Sequence, residues 1–171
     1  MSRRSVLRLS LHNVGIASLG LPLLTLATTQ PIITVWKTPT CGCCIAWVEH
    51  LRKSGFTVVT NDVKDTSPIR TNLGLPEQFG SCHTAKVGNY VIEGHVPADD
   101  IRKLLEEKPQ AIGLSVPGMP LGSPGMEGIG SQAGVRDAYK VLLVLNNGSS
   151  YPPLLWVQAF KFTLPNGFLL G

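Results

Sequence analysis

The 171-residue chain has little charge. Asp, Glu, Lys and Arg together make up only 15% of it, while 18 glycines and 13 prolines punctuate it. Low charge with abundant turn residues describes a compact, loop-rich domain rather than a disordered chain. An unbroken apolar run of membrane-spanning length is also missing. The apolar stretch from Val14 to Ala27 is interrupted by Gly15, Gly20 and Pro22 and is too short to cross a bilayer comfortably. No internal repeat is visible, which sets repeat arrays aside. A sustained excess of one charge is lacking as well. The net +4 includes Arg3, Arg4 and Arg8, which sit in an acid-free start, and removing those three leaves +1. A nearly neutral body gives no electrostatic case for nucleic acid as a partner.

Residues 1–29 read as an export signal to be set aside before any fold reasoning. Ser2-Arg3-Arg4-Ser5-Val6-Leu7-Arg8 resembles the twin-arginine signal, and the apolar middle and small-residue end follow in the expected order. Cleavage is expected between Ala27 and Gln30, with a periplasmic destination. An N-terminal anchor or amphipathic helix is the alternative.

What the chain does have is a concentration of thiols. Three of its four cysteines fall in Thr38-Pro39-Thr40-Cys41-Gly42-Cys43-Cys44. The β-branched run Ile32–Lys37 before them predicts a buried strand. After them, Cys44, Trp47, Val48 and Leu51 recur at spacings of three and four, which predicts a helix with one apolar face, ended by Gly55. A strand, a cysteine turn and a helix form the layout of thioredoxin-like redox sites, with Cys41 and Cys44 at the Cys-x-x-Cys spacing. His50 reads as a surface or boundary residue.

Phe56–Asn61 predicts a second strand, completing a βαβ unit. Pro68–Leu73 suits a short helix. A short strand within Gly80–Val87, a Gly88-Asn89 turn and a second strand, Tyr90–Glu93, predict a hairpin, and Ala98–Glu107 a helix with Asp99 and Asp100 at its N-terminus. From Ala111 to Gly134 glycine and proline argue against regular structure, and a loop of that length is usually functional or disordered. Tyr139–Leu145 predicts a last strand. This order fits an α/β, thioredoxin-like three-layer sandwich with a central mixed sheet. The body is expected over residues 30–148, followed by an apolar tail over 149–171.

The thiols favour a soft metal. Thiolate and thioether suit copper(I), imidazole accepts copper too, and thiolates bridge metal ions. Cys41, Cys43, Cys44 and Cys82 are the candidate ligands, with His83, Met119 and Met126 as additions. A helix N-terminus under Cys43 and Cys44 would favour their thiolates. If Cys82 and His83 lie on a regular strand, their side chains point to opposite faces and only one joins a given site. His95, just before a helix, reads as a capping or packing residue. Two alternatives stay open. One is a thiol-disulfide oxidoreductase using Cys41 and Cys44 as the catalytic pair. The other is a zinc-stabilised interaction domain, although zinc sites usually use two separated Cys-x-x-Cys pairs, which this chain lacks. Two structural disulfides are a weaker reading, because a Cys41–Cys44 bridge would close a very short loop.

The cysteine motif with Trp47, together with Ser81-Cys82-His83-Thr84, Gly94-His95-Val96-Pro97-Ala98, Gly113-Leu114, Val116-Pro117-Gly118-Met119-Pro120 and Gly122-Ser123-Pro124-Gly125-Met126-Glu127, resembles a family long labelled a domain of unknown function, whose members include CopG-like copper-resistance proteins. The resemblance runs from about Ile33 to Leu145. It implies a thioredoxin-like fold, a periplasmic setting and copper(I) held by Cys41, Cys43, Cys44 and Cys82, as a thiolate-bridged cluster. It also implies a role in copper detoxification beside other periplasmic copper-handling proteins. Met119 and Met126 match the family's methionine loop. The apolar tail departs from the family's short finish.

Overall fold

The computed structural model describes residues 31–127 and 136–152. The expected leader and most of the apolar tail therefore lie outside the described residues. Among those described, no helix is long and apolar enough to cross a membrane.

The chain opens with β1 (Ile33–Lys37), α1 (Gly42–Lys53) and β2 (Val58–Asp62), with β2 parallel to β1. α2 (Ser67–Asn72) and a 3-10 turn (Glu77–Phe79) lead to β3 (His83–Val87) and β4 (Tyr90–Glu93). α3 (Ala98–Glu107), β5 (Gly113–Ser115), β6 (Leu142–Val144) and β7 (Ser150–Tyr151) follow. Among the described residues, seven strands form one mixed sheet in the order β2-β1-β3-β4-β5-β6-β7. β1–β3, β3–β4, β5–β6 and β6–β7 are antiparallel, whereas β4–β5 is parallel.

Alternation along the strands separates two apolar layers. Ile33, Val35, Ala85, Ile92, Leu114 and Leu143 join a core with Trp47, Val48 and Leu51 of α1 and Ile101 and Leu104 of α3. Val91 and Val144, one residue out of phase with Ile92 and Leu143, instead join Leu75 and Phe79 in a smaller cluster. Both major helices thus share a cluster with one set of strand residues, and the segment around the 3-10 turn shares the other.

α1 starts earlier than the apolar periodicity suggests, because the cysteines themselves form its first turn. Cys41 is the N-cap, and its sulfur accepts the Cys44 N–H at 3.3 Å. Gly55, at φ +90°, closes the helix where a side chain would be strained. β5 lies inside the segment expected to be irregular. Its three residues lack strand composition, but a Cβ on Gly113 would lie 1.8 Å from the Val91 carbonyl oxygen, so glycine there permits close pairing with β4. The sheet also continues to Tyr151, beyond the expected body of the domain.

Candidate metal centre

Three sulfurs come from one turn after β1 and the fourth from just before β3, the strand paired with β1. Cys41 and Cys44 are joined as a disulfide, leaving Cys43 and Cys82 as free thiols. Cys82, immediately before β3, brings its Sγ to 3.5 Å from Cys44 Sγ and 3.9 Å from Cys43 Sγ. Cys43 Sγ is 3.4 Å from Cys41 Sγ. All four sulfurs lie within 4.8 Å of one another. Metal–thiolate bonds of about 2.3 Å at tetrahedral angles separate sulfurs by about 3.8 Å, so this spacing fits metal once the Cys41–Cys44 bond is opened.

Cys82 also touches two imidazoles. His83 Nδ1 lies 3.3 Å and His95 Nε2 3.2 Å from its sulfur. The condition for excluding one of Cys82 and His83, a shared regular strand, is not met, because Cys82 precedes β3 and is free of its alternation. His95 is not merely a capping or packing residue either. Its Nδ1 lies 2.8 Å from the Pro124 carbonyl, which can only accept, so that nitrogen carries the proton and Nε2 presents a lone pair to the sulfur. The signal for His95 was weak because its partners, Cys82 and Pro124, lie 13 and 29 residues away.

Both imidazoles are fully buried. Burial, reinforced by His95, pushes His83 down to about 3. Burial also lowers His95. Burial, reinforced by the neighbouring Cys43, pushes the Cys82 thiol up to about 12. The neutral thiol has one proton and two imidazole neighbours, so it donates to only one of them. His83 Nε2, on the far edge of its ring, is buried and has no hydrogen-bond partner among the described residues. A cation would supply the charge that a buried thiolate needs.

The methionines occupy the approaches. Met119 is exposed and lines two clefts. One, of about 430 Å³, also reaches Cys82, Ser81 and Arg70. The other, of about 540 Å³, reaches Cys43 and the buried Met126. Their loop is seated on the cysteine turn by Gly125. At φ +84°, a Cβ there would lie 2.6 Å from Trp47 N and 2.8 Å from the Cys43 carbonyl oxygen. Trp47 in turn donates its indole N–H to the Val96 carbonyl at 2.8 Å and packs on His83 at a centroid distance of 4.3 Å. His50 lies away from the thiols and accepts the Ala98 N–H at 3.2 Å.

The loop that carries Cys82 is held by a buried ion pair that the sequence reading missed. Arg70 Nε donates to Glu93 Oε1 at 2.9 Å, with side-chain exposures of 3% and 0%. Burial raises the Glu93 carboxyl despite its hydrogen bonds from Thr84 and Ser81 and the Arg70 charge.

A single-sheet α/β domain with a clustered set of soft thiol donors at the N-terminus of a helix defines a metal-binding class of site. A family described as "Protein of unknown function, DUF411" matches residues 79–126. Two solved structures described as forms of the copper resistance protein CopG resemble the chain. Form 2 is 41% identical, with 72% of this chain and 95% of that one covered and a TM-score of 0.66. Form 1 is also 41% identical, with 72% and 98% covered and a TM-score of 0.63. No curated protein matches. At that identity and coverage, the chain belongs to the CopG copper-resistance family.

Proposed function

We propose that this is an exported, periplasmic protein of thioredoxin-like fold that binds copper(I) and contributes to copper resistance. The observation that carries this reading is the convergence of four cysteine sulfurs within 4.8 Å of one another. Cys41, Cys43, Cys44 and Cys82 hold copper(I) as a thiolate-bridged cluster. A dithiol reductant first opens the Cys41–Cys44 bond by exchange, becoming a disulfide itself and leaving two thiols. His95 Nε2 and His83 Nδ1 add nitrogen donors on the Cys82 side. Met119 and Met126 offer thioethers at the two approaches and favour copper(I) over harder ions. The β1-α1-β2 unit, the β3–β4 hairpin and α3, with a Cys-x-x-Cys pair at the start of α1, support the thioredoxin-like description. The order of basic, apolar and small residues in 1–29 supports export.

A second reading is favoured by one feature, the Cys41–Cys44 disulfide, which is the oxidised form expected of a thiol-disulfide oxidoreductase. Anaerobic titration of the reduced chain with copper(I), and separately with zinc, separates these readings. More than one copper per chain, lost in Cys82→Ala, supports the cluster. One tightly held zinc that outlasts copper competition would replace it with the zinc-stabilised interaction domain. No stable metal, with a reversible Cys41–Cys44 disulfide, would replace it with the oxidoreductase.

A further inference from the structure

The buried ion pair between Arg70 and Glu93 has no place in the thiol chemistry, and its position calls for a reason. Burying two charges is expensive, and pairing them rarely stabilises a fold more than apolar residues of the same size would. What this pair holds is one residue, Ser81, through the two peptide groups that flank it. Glu93 Oε1 accepts the Ser81 N–H at 2.7 Å, and Arg70 Nη2 donates to the Ser81 carbonyl at 3.0 Å. Both backbone polar groups of the residue just before Cys82 are therefore gripped by the two members of one ion pair.

The grip is itself braced. Arg70 Nη1 donates to Glu77 Oε1 at 2.8 Å, and the Thr84 hydroxyl donates to Glu93 Oε2 at 2.7 Å. The Ser81 hydroxyl donates to the Gly118 carbonyl, tying the same residue to the loop that carries Met119. Two glycines keep the space open. A Cβ on Gly80 would lie 2.9 Å from the Arg70 guanidinium, and one on Gly94 would lie 2.6 Å from Ser81 Oγ. Cys82 stands outside the regular pairing of β3, so the sheet alone does not fix its backbone.

We propose that Arg70 and Glu93 are positioning residues for metal binding: by clamping Ser81 at both its N–H and its carbonyl, they hold the Cys82 sulfur against Cys43 and Cys44. The planar guanidinium is required because Glu93, Glu77 and the Ser81 carbonyl are reached from three different nitrogens, which a lysine ammonium cannot do at once. This rests on the reading that Cys82 is a copper ligand.

The test compares copper(I) per folded chain in reduced wild type, Cys82→Ala, Arg70→Met and the double variant Arg70→Met/Glu93→Met. Folding is checked by circular dichroism, and thermal midpoints are recorded beside the metal counts. The double variant leaves no unpaired buried charge, so it serves if Arg70→Met alone does not fold. The clamp predicts that the folded double variant has a near-native midpoint but drops to the copper content of Cys82→Ala. It also predicts a copper–thiolate absorption that matches that variant and not wild type. Arg70→Lys should fall between them. A double variant that keeps full copper content and the wild-type absorption while only its melting changes would reduce the pair to a structural role and overturn the inference. Should Cys82→Ala keep its full copper content, the copper reading of Cys82 fails first. If Cys82→Ala loses copper and the double variant does not, only the clamp fails.

Discussion

The two halves of the thiol cluster are built in opposite ways. Cys41, Cys43 and Cys44 belong to one turn, placed by the start of α1 and by the N-cap bond from the Cys44 N–H to Cys41. Cys82 arrives from 38 residues away and is set by the Arg70–Glu93 grip on Ser81 and by two imidazoles. The first half needs little beyond local helix formation. The second depends on buried charge and on loops packed at glycine distances. Local geometry tolerates surface change, while the assembled side is sensitive to single buried substitutions.

The largest effect that would sharpen this contrast is on stability. Arg70→Met strands the Glu93 carboxylate in the interior and should cost about 3–5 kcal/mol in urea unfolding. A loss under about 1 kcal/mol, the size of one ordinary hydrogen bond, would show that no charge is stranded and that the pair does not brace the Cys82 side. Gly125→Ala should come next. It forces a side chain into a left-handed backbone against Trp47 and the Cys43 carbonyl, at a cost of about 1–3 kcal/mol, and it should speed alkylation of Cys43. Unchanged stability and alkylation would detach the methionine loop from the cysteine turn.

His95→Ala should leave the three-cysteine turn intact while lowering copper affinity by about tenfold, and X-ray absorption should lose nitrogen scattering. An unaltered copper spectrum would confine His95 to packing. The smallest effect belongs to the exposed face of α1. Arg52→Ala removes a half-exposed pair with Glu49 and a hydrogen bond to the Val58 carbonyl, and should change stability by less than about 1 kcal/mol without touching copper content.

Most helices and strands, and the locally built half of the thiol cluster, are readable from residue order. The apolar face of α1, the span of α3 and the β3–β4 hairpin follow from periodicity and turn residues, and the cysteine motif announces soft-metal chemistry. The assembled half is less legible, because its determinants are pairs distant in sequence. Arg70 lies in a short polar helix and Glu93 ends an apolar strand, and nothing in either segment names the other. His95 reads as a capping or packing residue of the helix that follows until the fold brings Cys82 and Pro124 beside it. β5 was hidden because Gly113 works by lacking a side chain, which local composition reads as a break.

We propose that the four cysteines act as one copper centre. X-ray absorption at the copper edge of the reduced, copper-loaded chain tests it most directly. A four-cysteine copper cluster should give a sulfur-dominated shell at about the 2.3 Å of a metal–thiolate bond, with a short copper–copper vector. A single copper in a nitrogen and oxygen shell, with no neighbouring metal, would contradict it.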